Sequence, residues 1–422
     1  MRLLFKPPVL PWALYDMANT SFAVVIITVI FPVYFTNIVA AQSVYGKNFG
    51  DLMWGISTGG SMLAASFFAP IFGAIADASR SKNKFLTILT SICIMFCIPM
   101  FFIGRGMLIE AMILFMIANF FYQTSMMFYD SFLPEISNKN NVGMISGFGF
   151  SLGYLGGLLT LILIYPFIKG GLEIGNLYNI RLTFIITALF FLIFSLPSFL
   201  LLKDLSSRKI IHVNTSYIRY GFGKLANTLR KIKKDKNLLR FLISYFLFSN
   251  AFSVLAVYVA VYARNTLHLA LSEIALLFIL GHIPAIVSSI FFGWLSDRLG
   301  SKKVIILTLI IWCIVIVLIT VINLKIMFYI VYILAAVATG STLIASRSLM
   351  SFLTPIEREA EYFGFYAIGG KFSSILGPVV FGILAYFTGS EKIAMLSTLI
   401  FLVSGLGVIS FVKVPKMRVY GI

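Results

Sequence analysis

The chain has 422 residues, 60% of them hydrophobic and only 11% charged, with a mean hydropathy of +0.99. No single soluble core can hide that much apolar surface, so the composition excludes a soluble protein and points to an integral membrane protein. A net charge of +18 would suggest nucleic acid in a soluble domain, but the placement of the bases argues against such a partner.

Twelve apolar runs approach the roughly 20 residues that span hydrocarbon. They cover residues 12–37, 52–76, 85–104, 107–129, 146–168, 182–202, 238–262, 271–295, 304–322, 326–350, 362–387 and 391–412. Lipid requires every backbone group to be satisfied within the segment, and the runs are far longer than barrel strands, so an all-α fold is expected. Arg2 and Lys6 precede the first run, and Val39-Ala40-Ala41 faintly resembles a cleavage site. That run is too long for a signal-peptide core and carries Asp16 and Asn19, so it reads as a retained first helix. Cys93, Cys97 and Cys313 lie inside apolar runs at spacings that fit neither disulfides nor zinc, and read as small apolar fillers; no metal or cofactor is expected.

The basic residues decide orientation. With the N-terminus cytoplasmic, 25 of the 33 Lys and Arg fall on the cytoplasmic side and 7 on the other, leaving Lys371 inside the eleventh run. This bias predicts both termini in the cytoplasm and makes anionic headgroups the partner of the positive charge. The polar stretch before residue 238, with its Arg230-Lys231-Ile232-Lys233-Lys234 cluster, divides the chain. The expected domains are a bundle over 1–202, a basic cytoplasmic linker over 203–237 and a second bundle over 238–422.

The two halves are related. GAIADASRSK, from Gly73 to Lys82, recurs as GWLSDRLGSK, from Gly293 to Lys302, with Asp77 and Asp297 exactly 220 residues apart. Ser131-Phe132-Leu133 recurs as Ser351-Phe352-Leu353 at the same offset. A repeat of this length means two structural copies. The interiors of runs three, six, nine and twelve hold no charge, whereas the first holds Asp16 and Asn19, the fourth Asn119 and Gln123, the seventh Asn250, the eighth His282 and the eleventh Lys371. Polar groups are costly in lipid, so every third helix is expected at the periphery and the others around a polar interior. Runs five and eleven are glycine-rich at matching places, which serves close packing, a rocking interface between halves, or both.

Asp77 and Asp297, with Arg80, Lys82, Arg298 and Lys302, are the candidate gate. A carboxylate there can accept from the N-terminus of a neighbouring helix and the bases can bridge to acids, although topology-setting charge alone is the simpler alternative. Lys371 lies about 14 Å deep, counted from Tyr362, where an ammonium needs a partner or water. It is a candidate to hold a solute carboxylate, and Asp16 to engage a cationic group or carry a coupling proton; a structural interaction between the two, or with backbone, is the competing reading. His282, ahead of Pro284, is a candidate proton carrier or a hydrogen-bonded structural residue. Asn19, Asn119, Gln123, Asn250 and Tyr366 are candidate solute contacts or polar glue between helices.

These residues resemble the major facilitator superfamily. The repeated Gly-x-x-x-Asp element followed by bases looks like that superfamily's signature loop, the second copy fitting better because Gly300 supplies a glycine the first lacks. Within it the chain resembles the branch of the autophagy-related vacuolar effluxer and its bacterial relatives. The likeness lies in Trp12-Ala13-Leu14-Tyr15-Asp16-Met17-Ala18-Asn19-Thr20-Ser21, Phe31-Pro32-Val33-Tyr34-Phe35, Phe132-Leu133-Pro134-Glu135-Ile136, Gly153-Tyr154-Leu155-Gly156-Gly157 and Glu361-Tyr362-Phe363-Gly364-Phe365-Tyr366, with Gly370-Lys371 and Gly377-Pro378. Met17 departs from the branch's usual Trp, and Asp130 from a common Asn. The resemblance implies twelve helices in two pseudosymmetric six-helix bundles, alternating access and, for the eukaryotic namesake, amino-acid export.

The reading that follows is a secondary transporter of a small organic solute, an amino acid among the candidates, coupled to a proton. It would sit in a bacterial inner membrane and be complete as a monomer, with lipid as its surroundings. A lipid-handling or sensory protein on the same fold is the alternative. An enzyme is not expected: His212, His268 and His282 are scattered, no nucleophile sits beside a base, and no Walker-type phosphate loop occurs.

Overall fold

The computed structural model describes residues 8–79, 81–136, 142–202, 235–322, 324–353 and 359–413. Twelve long helices run through them: α1 (Val9–Val39), α2 (Phe49–Ser79), α3 (Lys82–Phe102), α4 (Leu108–Ile136), α5 (Val142–Ile168), α6 (Leu177–Leu201), α7 (Lys236–Asn265), α8 (Leu271–Leu299), α9 (Ser301–Val321), α10 (Lys325–Leu353), α11 (Glu359–Thr388) and α12 (Glu391–Ser410). Eleven contain stretches long and apolar enough to cross a membrane. The other, α2, has 31 residues, and at about 1.5 Å per residue it too exceeds the hydrocarbon thickness. No strand occurs among the described residues. Residues 203–234 of the linker lie outside them, and α7 begins inside the stretch read as linker because Asp235 caps it, accepting from the amides of Asn237 and Leu238 at 3.0 and 3.1 Å.

The helices form two bundles, α1–α6 and α7–α12, with the same internal neighbours. In the first, α1 packs on α5 and α6, α3 on α4 and α6, and α2 on α4; in the second, α7 packs on α11 and α12, α9 on α10 and α12, and α8 on α10. The bundles meet along α2·α11 and α5·α8, the two seams that a pseudo-two-fold axis would exchange, and α1 meets α7 near that axis. Both α1 and α7 are 72% buried over their spanning windows, against 33–50% for the other spans, so they form the centre. As expected from the charge pattern, α3, α6, α9 and α12 pack mainly within their own bundles.

Glycine sets the closest approaches. A Cβ on Gly156 would lie 2.1 Å from the Met17 carbonyl oxygen, and one on Gly377 would lie 2.5 Å from that of Asn250. Each bundle thus seats its central helix against a glycine of its fifth, which is how the two glycine-rich runs act in packing. Pro32 interrupts α1: it has no N–H for the carbonyl of Thr28, and the helix before it widens into a π segment over Ala23–Val29, where the amide of Ile30 returns to Val25.

Candidate solute-binding site

The face bearing Val9 and Ser410 is called the basic face, and the one bearing Val39 and Glu391 the opposite face. From the first bundle Asp16 of α1 and Asp130 of α4 come to the space between the bundles; from the second come Arg347 of α10 and Lys371 of α11. Asp16 is seven residues, about 10 Å, beyond the start of α1, while Asp130 and Arg347 each lie six residues, about 9 Å, inside the ends of their helices. Lys371 is twelve residues, about 18 Å, beyond the start of α11. The charges of Arg347 and Lys371 both act on Asp130, and those of Asp130 and Arg347 act on Asp16. Asp130 and Arg347 are nevertheless exposed and Lys371 half-buried, so they border a water-accessible cavity. The Arg347 guanidinium crosses the gap to lie 4.6 Å from the ring centroid of Phe150 on α5.

Local packing fixes the acid wall. Oδ1 of Asp16 accepts from the Asn19 amide at 3.0 Å, and Oδ1 of Asn19 accepts from the Tyr122 hydroxyl at 3.3 Å. Gly153 leaves room for the carboxylate: a Cβ there would stand 3.2 Å from Oδ2 of Asp16. Trp12 stacks on Tyr129 at 4.6 Å and donates to its carbonyl at 3.0 Å, so α1 is bound to α4 just below Asp130. On the basic wall Tyr366 stacks on Tyr245 at 4.0 Å. The Lys371 ammonium makes no hydrogen bond or salt bridge with a described residue, and its electrostatic partner is Asp130 rather than Asp16.

The cavity is shut at the opposite face. Asn48 donates to the carbonyl of Ala385 at 2.8 Å, Tyr258 to that of Asp51 at 2.6 Å and Trp54 to that of Val257 at 3.3 Å, each bond joining the two bundles. A Cβ on Gly55 would meet the Pro378 carbonyl oxygen at 2.7 Å, and one on Gly59 would meet Val379 at 2.5 Å. The opposite-face halves of α2 and α11 are therefore in backbone contact.

A two-bundle membrane protein closed on one side, with charge at its centre, is the architecture of a transporter, and the comparisons with known proteins agree. The sequence profile of the family described as "Vacuole effluxer Atg22 like" matches residues 55–420. The chain belongs to this Atg22-like family. It is 26% identical to the uncharacterized MFS-type transporter YxiO of Bacillus subtilis over 405 residues, 95% of this chain and 94% of that one. Autophagy-related protein 22 of Kluyveromyces lactis is 27% identical over 301 residues, 67% of this chain and 60% of the relative. Among solved structures, the xylose transporter XylE from E. coli superposes with a TM-score of 0.75 at 13% identity, covering 99% of this chain and all of the other. The nucleoside transporter NupG superposes with a TM-score of 0.72 at 13% identity, covering 97% and 99%. This Atg22-like chain is an MFS-type, multi-pass membrane transporter.

The remaining candidates sit elsewhere. Asn119 donates to Ser61 Oγ at 2.7 Å and accepts from Gln123 at 3.4 Å, tying α4 to α2. Asn250 is fully buried and donates to the carbonyl of Phe246 at 2.6 Å. His282 lies in the α5·α8 seam, where Nδ1 donates to the Phe278 carbonyl at 2.6 Å and the ring is edge-on to Tyr154 at 5.7 Å. At the basic face Lys82 pairs with Glu135 of α4 at 2.7 Å, and Lys302 donates to the carbonyls of Ser410 and Val412, both at 2.8 Å. Arg298 is exposed. Arg80 and the side chains of Asp77 and Asp297 lie outside the described residues.

Asp130 and Arg347 were missed as site residues because Asp130 falls one residue past the fourth apolar run and Arg347, three residues before the end of the tenth, was counted with the cytoplasmic bases. The usable signal was the recurrence of Ser131-Phe132-Leu133 as Ser351-Phe352-Leu353, which places Asp130 and Met350 at equivalent helix ends and Arg347 one turn inside.

Proposed function

We propose that this transporter carries a small zwitterionic solute of the amino-acid type by alternating access, with a proton as its coupling ion. The observation that supports this is the division of charge: carboxylates on the first bundle face cations on the second across a water-accessible cavity. An ammonium group would bind Asp16 and Asp130, and a carboxylate Lys371 and Arg347. A zwitterion can satisfy both walls at once, and drawing them together is what closing the cavity requires. A sugar or a nucleoside offers neither an ammonium to the acid wall nor a carboxylate to the basic wall, and so would draw the two together less well.

In this reading Asp16 is also the residue that takes a proton when no ammonium is present, so that the proton replaces the solute's cation at that carboxylate. In the same reading the basic face lies in the cytoplasm of a bacterial cell, an orientation that the bias of bases supports, and one chain forms the pathway.

Thermal unfolding of the purified protein with free amino acids, and with the same compounds acetylated at the amine or amidated at the carboxylate, tests the solute class. Stabilisation is expected from free forms and not from either capped form. Equal stabilisation by capped forms, or by sugars alone, would rule it out. Uptake into proteoliposomes with and without a pH gradient tests coupling, and lipid exchange in solute-free liposomes would instead favour the lipid-handling alternative.

A further inference from the structure

At the opposite face, Asp51 of α2 is 1% exposed and neither of its carboxylate oxygens has a hydrogen-bond partner. Its carboxyl lies within hydrogen-bond range of Glu391, the first residue of α12 in the other bundle, itself 5% exposed. Glu391 is well supplied: Oε1 accepts from the Asn265 amide at 2.8 Å and Oε2 from the Thr266 hydroxyl at 2.8 Å. The positive charge of Lys47 acts on it as well. The phenols of α7 also face the pair: Tyr258, whose hydroxyl is spent on the Asp51 carbonyl, and Tyr262, whose hydroxyl is spent on that of Ile319. From α11 comes Gly382, against which the Asp51 carbonyl packs.

Two carboxyl groups in contact contain no donor unless one of them is protonated, and two bare anions side by side in a dry seam repel each other. The donors assign the proton. Glu391 already receives two hydrogen bonds and the field of Lys47, which suit an anion, whereas Asp51 receives none. We infer that Asp51 and Glu391 form a proton-binding site in which Asp51 holds the proton and donates it to Glu391, locking the two bundles together at the opposite face.

The site has access to water. Asn265 also lines a polar pocket of about 470 Å³ at that face, shared by Asn37, Gln42 and Arg105 of the first bundle and Arg264 and His268 of the second. The carboxyl pair stands one side chain behind this vestibule. When α2 and α11 part, both carboxylates become hydrated and the proton leaves to the opposite-face solution; the seam can re-form only by taking one back. Acid on that side therefore favours closure and alkali favours opening. This rests on reading the α2·α11 seam as a gate of alternating access, but it places a proton site well away from the solute cavity.

Two measurements on the full-length protein without added solute test it. Infrared spectroscopy should show the carbonyl stretch of a protonated carboxylic acid at neutral pH that is lost in Asp51→Asn. Spin labels at Ser43→Cys and Thr388→Cys, in a background lacking the half-buried Cys313, should report a separated population that grows as pH rises. Asp51→Asn, whose amide donates permanently to Glu391, should remain closed at every pH. Glu391→Gln, whose amide can donate to an ionised Asp51, should stay closed to more alkaline pH than the wild type. This second variant keeps the test decisive should the first fail to fold. Distances that do not change with pH in the wild type, or an Asp51→Asn protein that titrates like it, would overturn the inference. Because no solute is present, that outcome leaves the transport reading standing, and failure to find a transported solute leaves this one standing.

Discussion

Gly55 and Pro378 approach so closely that a Cβ on the glycine would stand 2.7 Å from the proline's carbonyl oxygen. The contact joins α2 to α11 through backbone, with no side chain able to swing aside, so the opposite-face closure depends on a missing methyl group. Gly55→Val should wedge this seam apart. Overpacking of this kind costs about 1–3 kcal/mol, enough to shift a balanced two-state equilibrium some fivefold or more toward the other arrangement. The check is a cysteine at Val379, which faces Gly59 in the same seam. It should react with a membrane-impermeant thiol reagent from the opposite face faster in the Gly55→Val protein than without it.

Lys371 gives a prediction in which binding and stability move apart. Its ammonium lies about 18 Å along α11, half-buried and unpaired among the described residues. Lys371→Met keeps the length of the side chain and removes the charge. A charge-assisted hydrogen bond is worth roughly 1.5–3 kcal/mol, so the apparent dissociation constant for a carboxylate solute should rise about 10- to 100-fold. The melting temperature without solute should hold or rise, since an uncompensated ammonium at that depth is unfavourable. A lowered melting temperature with unchanged affinity would make Lys371 a structural residue.

What the sequence showed and what it hid have physical reasons. Hydropathy located the helices because lipid leaves no alternative backbone arrangement, and the 220-residue repeat gave two bundles because pseudosymmetry is written into spacing. Asp16 and Lys371 stood out because each is a lone charge in an apolar run. Asp130 and Arg347 did not, because a charge near a helix end looks the same whether it faces water outside or a cavity inside. Glu391 was hidden for the same reason: as the first residue of α12 it passes for a loop charge, yet it is 5% exposed and pressed against the other bundle. The π segment of α1 had a signal in Pro32, but a proline announces a disturbance without saying which carbonyl the chain will choose.

At the basic face, Lys302 acts within its own bundle in this state. By donating to the carbonyls of Ser410 and Val412 it supplies what the end of α12 lacks, and its charge suits that end of the helix dipole. Asn83, the second residue of α3, does the same in the first bundle, donating to the carbonyls of Phe199 and Leu202 at the end of α6, at 3.0 and 2.7 Å. Lys302→Met and Asn83→Ala should therefore each lower stability by about 1 kcal/mol, read as a lower melting temperature, with solute affinity unchanged. A change in affinity or in transport rate at constant stability would instead point to a gating role for Lys302.

Asp16 is the residue whose two proposed duties can be separated. Its Oδ1 is held by Asn19, which is held in turn by the Tyr122 hydroxyl, so the carboxylate is oriented by a chain of two hydrogen bonds. Asp16→Asn preserves shape and removes both the charge and the exchangeable proton. If Asp16 couples transport to protons, the variant should no longer accumulate solute against a gradient when a pH difference is imposed, yet should still exchange labelled for unlabelled solute at equilibrium. If Asp16 only contacts the ammonium, both activities should fall together with affinity. Tyr122→Phe provides the control, because it removes the far link of the chain without touching the charge. Losing one neutral hydrogen bond of about 0.5–1.5 kcal/mol should weaken binding two- to tenfold and leave pH-driven accumulation intact. Accumulation lost in Tyr122→Phe as well would mean that orientation of the carboxylate, and not merely its charge, sets the coupling.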